Sequence, residues 1–294
     1  MHFVNAKTIL SAKPCGMNIY RGCSHGCIYC DSRSKCYQFS HAFEDIEVKQ
    51  NAPELLADAL RKKRRRCMIG TGSMCDPYIP AEKELCLMRR CLEVIDRYDF
   101  GAALLTKSDL VLRDLDILER INRQTKAVVQ MTLTTADDNL CRLLEPGVCP
   151  TSRRFEVLKE CQARGIPTVV WFSPLLPFIN DTKENVDGIL DYCVRAGVKA
   201  ILCFGIGLTL REGNREYFYA ALDKLAARDR RFAGLKERYI RTYGDSYEVS
   251  SPQEGELMTY ISQFCRKNKI MLGIDSVFKW IEEFPEDSLQ PSLF

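Results

Sequence analysis

The chain reads as an α/β protein with a parallel sheet, because strand-like and helix-period segments alternate six times from the N-terminus to about Leu208. Two observations sharpen this. The strand segments are short apolar runs, as in strands covered on both faces. The alternation stops at Thr209. Six strand–helix units are too few for a closed eight-unit barrel, so the sheet should curve without closing.

The elements follow in order. The first strand is the segment entering the loop at Arg21. Asn51-Ala-Pro53 opens a helix running to about Arg65, with proline in the first turn, where its missing N–H is harmless. Cys67–Gly70 is the second strand, and Glu82–Asp99 reads as one amphipathic helix. Ala102–Thr106 is a strand, and Leu110–Arg123 a helix with leucines at helical spacing. Ala127–Thr135 is β-rich, and Phe155–Arg164 is a helix ended by Gly165. Thr168–Phe172 is a strand, Asn185–Arg195 a helix closed by Gly197, and Ala200–Phe204 the last strand of the series. Beyond it, Tyr217–Arg230 and Pro252–Lys267 read as helices flanking a tyrosine-rich link, Tyr239–Tyr247.

With 294 residues and 46% hydrophobic content, the chain can bury a full core. Its apolar runs are too short to cross a bilayer, and Met1–Lys7 lacks the pattern of a secretory signal. A cytoplasmic location is therefore expected. In that reducing setting the fifteen cysteines read as free thiols and metal ligands rather than disulfides. Cys86, Cys91, Cys161, Cys193, Cys203 and Cys265 fall in apolar patterns and read as small core hydrophobes. The net charge of +3 argues for no particular partner. The one strong bias, Arg61–Arg66, suits a helix C-terminus or, in a sharper reading, a phosphate-contacting patch.

Chemistry concentrates at Cys23, Cys27 and Cys30, spaced Cys-x3-Cys-x2-Cys, with Gly22 and Gly26 easing the loop geometry. Iron–sulfur cubanes normally take four thiolates, so three close cysteines would hold three irons and leave the fourth to another ligand. The competing use is a structural zinc site, which wants four ligands from two knuckles or added histidines. No second knuckle exists, and only His25 lies close.

The cysteine spacing, with Tyr29 just before the last cysteine, resembles the radical S-adenosylmethionine (SAM) superfamily. The residues at the strand ends narrow the resemblance. Arg21-Gly-Cys, Asp76-Pro-Tyr, Thr106-Lys-Ser, Arg113-Asp114, Glu145-Pro146 with Arg154, and Ser173-Pro174 are similar to the spore photoproduct lyase-like branch, the DNA repair photolyases. That resemblance implies a partial (β/α)6 barrel over residues 1–208 with the cluster loop at 21–36. The change of pattern at Thr209 reads as a helical extension over 209–283, and the prolines, acids and serines from Phe284 as a flexible tail over 284–294. It implies a [4Fe-4S] cluster on Cys23, Cys27 and Cys30, with SAM on the open iron. SAM would be cleaved to methionine and a 5′-deoxyadenosyl radical that takes a hydrogen atom from substrate. Tyr29 would lie at the adenine and the radical, and Cys75, Lys107, Thr132 and Ser173 would line the SAM pocket. A flavodoxin or ferredoxin would supply the electron.

The branch suggests DNA base repair or modification, with Tyr239, Tyr243, Tyr247 and Arg61–Arg66 as candidate nucleic-acid contacts. In spore photoproduct lyase a cysteine returns the hydrogen atom. Here that position aligns with Ser73, and Cys75, on the same face of an extended segment, would be the donor or a SAM contact. A radical SAM enzyme for a peptide or small metabolite, or a cluster-bearing binding protein, is the alternative. Finally, Gln290-Pro-Ser-Leu-Phe294 is similar to the peptide by which repair proteins dock on the DNA sliding clamp.

Overall fold

The computed structural model describes residues 1–11 and 15–284. Seven strands form its main sheet: β1 (Gly16–Met17), β2 (Met68–Thr71), β3 (Gly101–Thr106), β4 (Ala127–Thr132), β5 (Thr168–Trp171), β6 (Ala200–Leu202) and β7 (Met271–Leu272). Each pairs in parallel with its sequence neighbour, so the spatial order is the chain order, β1 to β7. The six expected units are present as an open, sequentially wound parallel sheet. The seventh strand is an addition.

Side-chain alternation along each strand gives the sheet two faces. Ile69, Leu104, Val129, Met131, Val170 and Ile201 point to the main core with the flanking helices. Those helices are Ala52–Lys62, Leu87–Arg97, Leu115–Gln124, Thr151–Ala163 and Lys183–Arg195. On the inner face Met68, Ala103, Val128, Val169, Ala200 and Leu202 gather around Val277 and Ile281 of the helix Ile274–Glu282. The last helix thus fills the lower part of the barrel. Lys126 Nζ holds its end, bonding the carbonyls of Trp280 and of Glu283 (2.7 Å). Burying Val277 and Ile281 there contributes about 1.5–3 kcal/mol each.

Several sequence expectations change. The stretch expected as one extension over 209–283 has two parts. Residues 207–250 leave the sheet as an antiparallel ribbon, Gly207–Thr209 against Glu248–Ser250, with helices Asn214–Ala226 and Leu235–Tyr243 between. The rest returns as helix Glu254–Lys267, strand β7 and the plugging helix. Phe284, expected to begin the tail, packs beside Val277 and Ile281. The remaining tail, 285–294, with the clamp-like Gln290–Phe294, lies outside the described residues.

The expected helix Glu82–Asp99 is broken at Cys86, which takes φ 49°. The buried Glu82 carboxylate accepts from Leu87 N and Met88 N (3.0 Å each), capping the helix that starts there. Arg113 bonds Glu82 Oε1 at 2.7 Å and Asp114 Oδ2 at 2.8 Å, so Arg113-Asp114 belongs to this structural network. The tyrosine-rich link is largely helical. Tyr239 is fully buried and bonds Pro177 O (2.7 Å), and Tyr243 bonds Ser250 O (2.7 Å). These two tyrosines serve packing, which takes Tyr239 out of reach of any nucleic acid. Arg61–Arg66 precedes β2, at the opposite end of the strands from the site described next, with Arg61 paired to Asp58 and Arg66 to Asp99. No helix among the described residues is long and apolar enough to cross a membrane.

Candidate functional site

All six leading strands end at one rim, as active loops of parallel α/β proteins do. The loop after β1 brings Cys23, Cys27, Tyr29 and Cys30 there. β2 contributes Gly72–Asp76, β3 Leu105–Lys107, β4 Thr132, and β5 Trp171–Pro174. They enclose two adjoining cavities. A 100 Å³ cavity holds Cys23, His25, Cys27, Cys30, Cys75 and Asp76 among its walls. A 760 Å³ cavity opens beyond it, lined by Tyr29, Lys107, Thr132, Ser173, Trp171 and Phe204, among others. The structure therefore brings Cys23, Cys27, Cys30, Tyr29, Cys75, Lys107, Thr132 and Ser173 to one rim, and leaves Arg61–Arg66, Tyr239, Tyr243 and Tyr247 out of the walls of both cavities. The volume lies in the range of about 300–1,000 Å³ usual for ligand pockets.

The cluster loop is held by backbone bonds that need no thiol. Ile28 N donates to Leu144 O (2.9 Å), Gly147 N to His25 O (2.8 Å) and Cys23 N to Phe43 O (3.2 Å). Gly22, at φ 86°, lets the loop pass that carbonyl; a Cβ there would sit 2.4 Å from Phe43 O. Among the described residues, no trio drawn from Cys23, Cys27 and Cys30 has its sulfurs within 4.8 Å of one another, as one ion would require. The cradle suits a polynuclear cluster better than a lone zinc.

Two residue pairs were missed as site features by the sequence reading. The first is His25–Asp76. His25 Nε2 lies 3.1 Å from Asp76 Oδ2, and both groups are buried. Burial alone would raise the Asp76 pKa, but His25, the Lys107 N–H (2.7 Å) and the Thr106 hydroxyl (2.7 Å) hold it down to about 2. Burial would lower the His25 pKa, and the facing Asp76 carboxylate outweighs that, leaving it raised. The second pair is Trp171 and Phe204, whose rings meet at 5.2 Å. Trp171 Nε1 donates to Gln130 Oε1 (2.8 Å), which fixes the indole, and Phe204 is 46% exposed. Only the alternation of faces along β5 marks Trp171, and a strand buried on both sides hides it.

Beneath Tyr29 lies a buried ion pair. Glu145 and Arg154 are both fully buried, with Arg154 Nη2 2.5 Å from Glu145 Oε2. Tyr29 Oη donates to Glu145 Oε1, and Arg154 also bonds the carbonyls of Thr132 (3.0 Å) and Cys149 (2.9 Å). Burial and the Glu145 charge push the Tyr29 pKa well up, so its hydroxyl stays protonated. Glu145 and Arg154, noticed in sequence, therefore act by positioning Tyr29 and the end of β4.

The thiols are unequal. The Cys75 thiol beside it and His25, against the cost of burial, lower the Cys23 pKa to about 6. Burial raises the pKa of Cys27 and of Cys30. Cys75 also lies 2.6 Å from Gly22 O, inside the smaller cavity with the cluster cysteines, while Ser73 borders both cavities. Lys107 Nζ stands 6.0 Å from the Tyr29 ring centre. Burial opposes its charge, but Cys27 and Glu145 keep its pKa raised.

Residues 17–193 match the model of the radical SAM superfamily. The chain is 30% identical over 213 residues to an uncharacterized protein of Mycobacterium tuberculosis, a match covering 69% of this chain and 61% of that protein. It is 32% identical over 169 residues to one of Methanocaldococcus jannaschii, covering 57% and 62%. The match thus spans about three fifths of these relatives' length. Among solved structures, spore photoproduct lyase complexed with dinucleoside spore photoproduct superposes with a TM-score of 0.65 at 16% identity, covering 92% of this chain and 80% of that one. A mutant of that enzyme with bound AdoMet and the same dinucleoside gives 0.65 at 15%. At such identity the likeness is one of fold. The family implies a [4Fe-4S] cluster and SAM, and the three-cysteine cradle beside a polar cavity fits both. From residue 17 to residue 193, this chain belongs to the radical SAM superfamily.

Proposed function

We propose that the protein is a radical SAM enzyme whose substrate is a nucleic-acid base. The observation that carries this reading is the 760 Å³ cavity itself: polar where it meets the cysteines, aromatic at its outer wall. Cys23, Cys27 and Cys30 hold the cluster, with Cys23 the thiol nearest its ligating thiolate form. Lys107, Thr132 and Ser173 bind the carboxylate and hydroxyls of SAM, and Tyr29 flanks the adenine. When bound, the cluster and SAM would supply one-electron reductive cleavage of the sulfonium and hydrogen-atom abstraction from the substrate. Cys75 remains the candidate hydrogen donor or SAM contact, placed on the cluster side of Tyr29. A flavodoxin or ferredoxin class partner supplies the electron.

Trp171 and Phe204 offer a ring surface on which an extruded base can stack, which is worth about 1–3 kcal/mol per base in single-strand binders. The solved relative's bound dinucleoside is consistent with such an occupant. Anaerobic incubation with reductant, SAM and ultraviolet-irradiated DNA is expected to yield 5′-deoxyadenosine together with loss of a thymine lesion. 5′-Deoxyadenosine without change in any DNA base would turn the reading toward a peptide or small-metabolite substrate.

Lys107→Ala is expected to weaken SAM binding about tenfold to a hundredfold, the worth of one charge-assisted hydrogen bond of about 1.5–3 kcal/mol. Iron content should stay unchanged, since Lys107 follows β3 and is no part of the cysteine loop. Isothermal titration with SAM and iron analysis of the same preparation check both halves. Iron loss in folded Lys107→Ala would place the lysine in cluster retention instead.

A further inference from the structure

Away from the cysteine rim, three side chains converge where the N-terminal strand meets the strap before the first helix. His2–Val4 pairs in parallel with Glu47–Lys49, and His2 and Glu47 are register partners. Side chains at paired positions share a face. His41, from the strap, completes the group. One ligand atom from each of His2, His41 and Glu47 lies within 4.8 Å of the others, the one such trio of histidine, cysteine or carboxylate groups among the described residues.

Both rings face an acceptor through Nδ1. His2 Nδ1 is 3.0 Å from Asp45 Oδ2, and His41 Nδ1 is 2.9 Å from Ala42 O. An acceptor facing Nδ1 fixes the proton there and leaves Nε2 with a free lone pair, the arrangement outer-shell carboxylates and carbonyls impose on ligating histidines. His41 Nε2 is buried without a hydrogen-bond partner and lies 3.9 Å from Glu47 Oε2. A buried, unpaired ring nitrogen is costly unless something takes its lone pair. Phe39 packs edge-on against the His41 ring (5.6 Å), and the two histidine rings meet at 4.9 Å and 87°.

We propose that His2, His41 and Glu47 form a binding site for a divalent transition-metal ion of the zinc class, with Asp45 and the Ala42 carbonyl as its outer shell. Two imidazoles and one carboxylate suit zinc, which leaves its fourth position to water. Ligand atoms on one zinc stand about 3.4 Å apart for bonds of about 2.1 Å, so the trio closes by roughly an ångström on binding. The ion ties the N-terminal strand to the strap. The same strap braces the cluster loop, through the bond from Cys23 N to Phe43 O at 3.2 Å.

The test uses anaerobically purified, cluster-loaded protein, so that the cluster cysteines are already occupied. Equilibrium dialysis against Zn²⁺ should show one ion per chain beyond the cluster iron. Co²⁺ in its place should give ligand-field bands without sulfur-to-cobalt charge transfer. His41→Ala and Glu47→Gln should each weaken Zn²⁺ binding by more than the roughly tenfold to hundredfold expected for the outer-shell variant Asp45→Asn, with iron content and circular dichroism retained. Absence of uptake by the wild-type protein would overturn the proposal. Thiolate bands in the cobalt spectrum, or unchanged affinity in folded His41→Ala and Glu47→Gln, would do so equally.

Discussion

Replacing Cys23, Cys27 and Cys30 together with alanine is expected to take the iron of anaerobically purified protein from about four per chain to none, with the chain still folded. Both halves follow from how the loop is held. Its path is set by the Ile28–Leu144, Gly147–His25 and Cys23–Phe43 backbone bonds and by the fit of Gly22 under a carbonyl. None of these involves a sulfur, so the loop keeps its shape while losing its ligands. Cys75 is the internal control. Its thiol lies 2.6 Å from the Gly22 carbonyl and influences the Cys23 sulfur, close enough to be mistaken for a fourth ligand. Cys75→Ala should keep the iron, because the Cys-x3-Cys-x2-Cys loop is complete without it. Its expected effects fall on the Cys23 thiolate, which loses a neighbouring thiol, and on SAM binding or turnover, for which Cys75 is the candidate contact or hydrogen donor. Iron analysis and charge-transfer absorption decide the matter. Iron retained in the triple variant would sink the cluster assignment, and iron lost on Cys75→Ala alone would make that thiol a ligand.

What the sequence disclosed depended on how local the cause was. The cysteine loop is local: three thiols, two glycines and a tyrosine within nine residues carry its chemistry. The six strand–helix units were legible because each flanking helix shows one apolar face at the 3.6-residue period. The inner face of the barrel was not. β5 is buried on both sides, so Val169 and Trp171, which face the interior, look no different from Val170, which faces the helices. The plugging helix Ile274–Glu282 fills a space that exists only once the sheet curves, and no local pattern announces it. His25 and Asp76 lie on two different loops, and His2 and Glu47 are brought together by a strand register. Cys86 carried a false signal. It sits in an amphipathic run, yet the buried Glu82 carboxylate starts a new helix there.

Arg154→Met is expected to be the most destabilising single change at the site, costing about 3–5 kcal/mol at neutral pH. The reason is asymmetric. The methionine fills much of the arginine's volume, but Glu145 is left fully buried with its charge unpaired, and the Thr132 and Cys149 carbonyls lose their donor. Glu145→Gln keeps a group that can accept from Tyr29 and should cost less, although Arg154 then loses its counter-ion. The double variant Glu145→Gln, Arg154→Met removes both charges and should recover part of the loss, since a missing pair is cheaper than half of one. The pH dependence has a definite sign. Burial opposes the Glu145 charge, but Arg154, Lys107 and Tyr29 hold its pKa below the ordinary glutamate value. A group depressed on folding contributes stability above its unfolded pKa, about 4.3, and loses it as pH falls through the folded value. The advantage of the wild-type protein over the double variant should therefore be full near neutrality and shrink below about pH 4. Urea unfolding of all four proteins at several pH values measures these differences. A second readout separates positioning from stability. In Glu145→Gln the charged acceptor of Tyr29 becomes a neutral and weaker one, so SAM should bind the folded variant more weakly while iron content is unchanged. Equal stability of Arg154→Met and wild type would show that the pair is dispensable to the fold, and unaltered SAM affinity in Glu145→Gln would show that Tyr29 needs no such support.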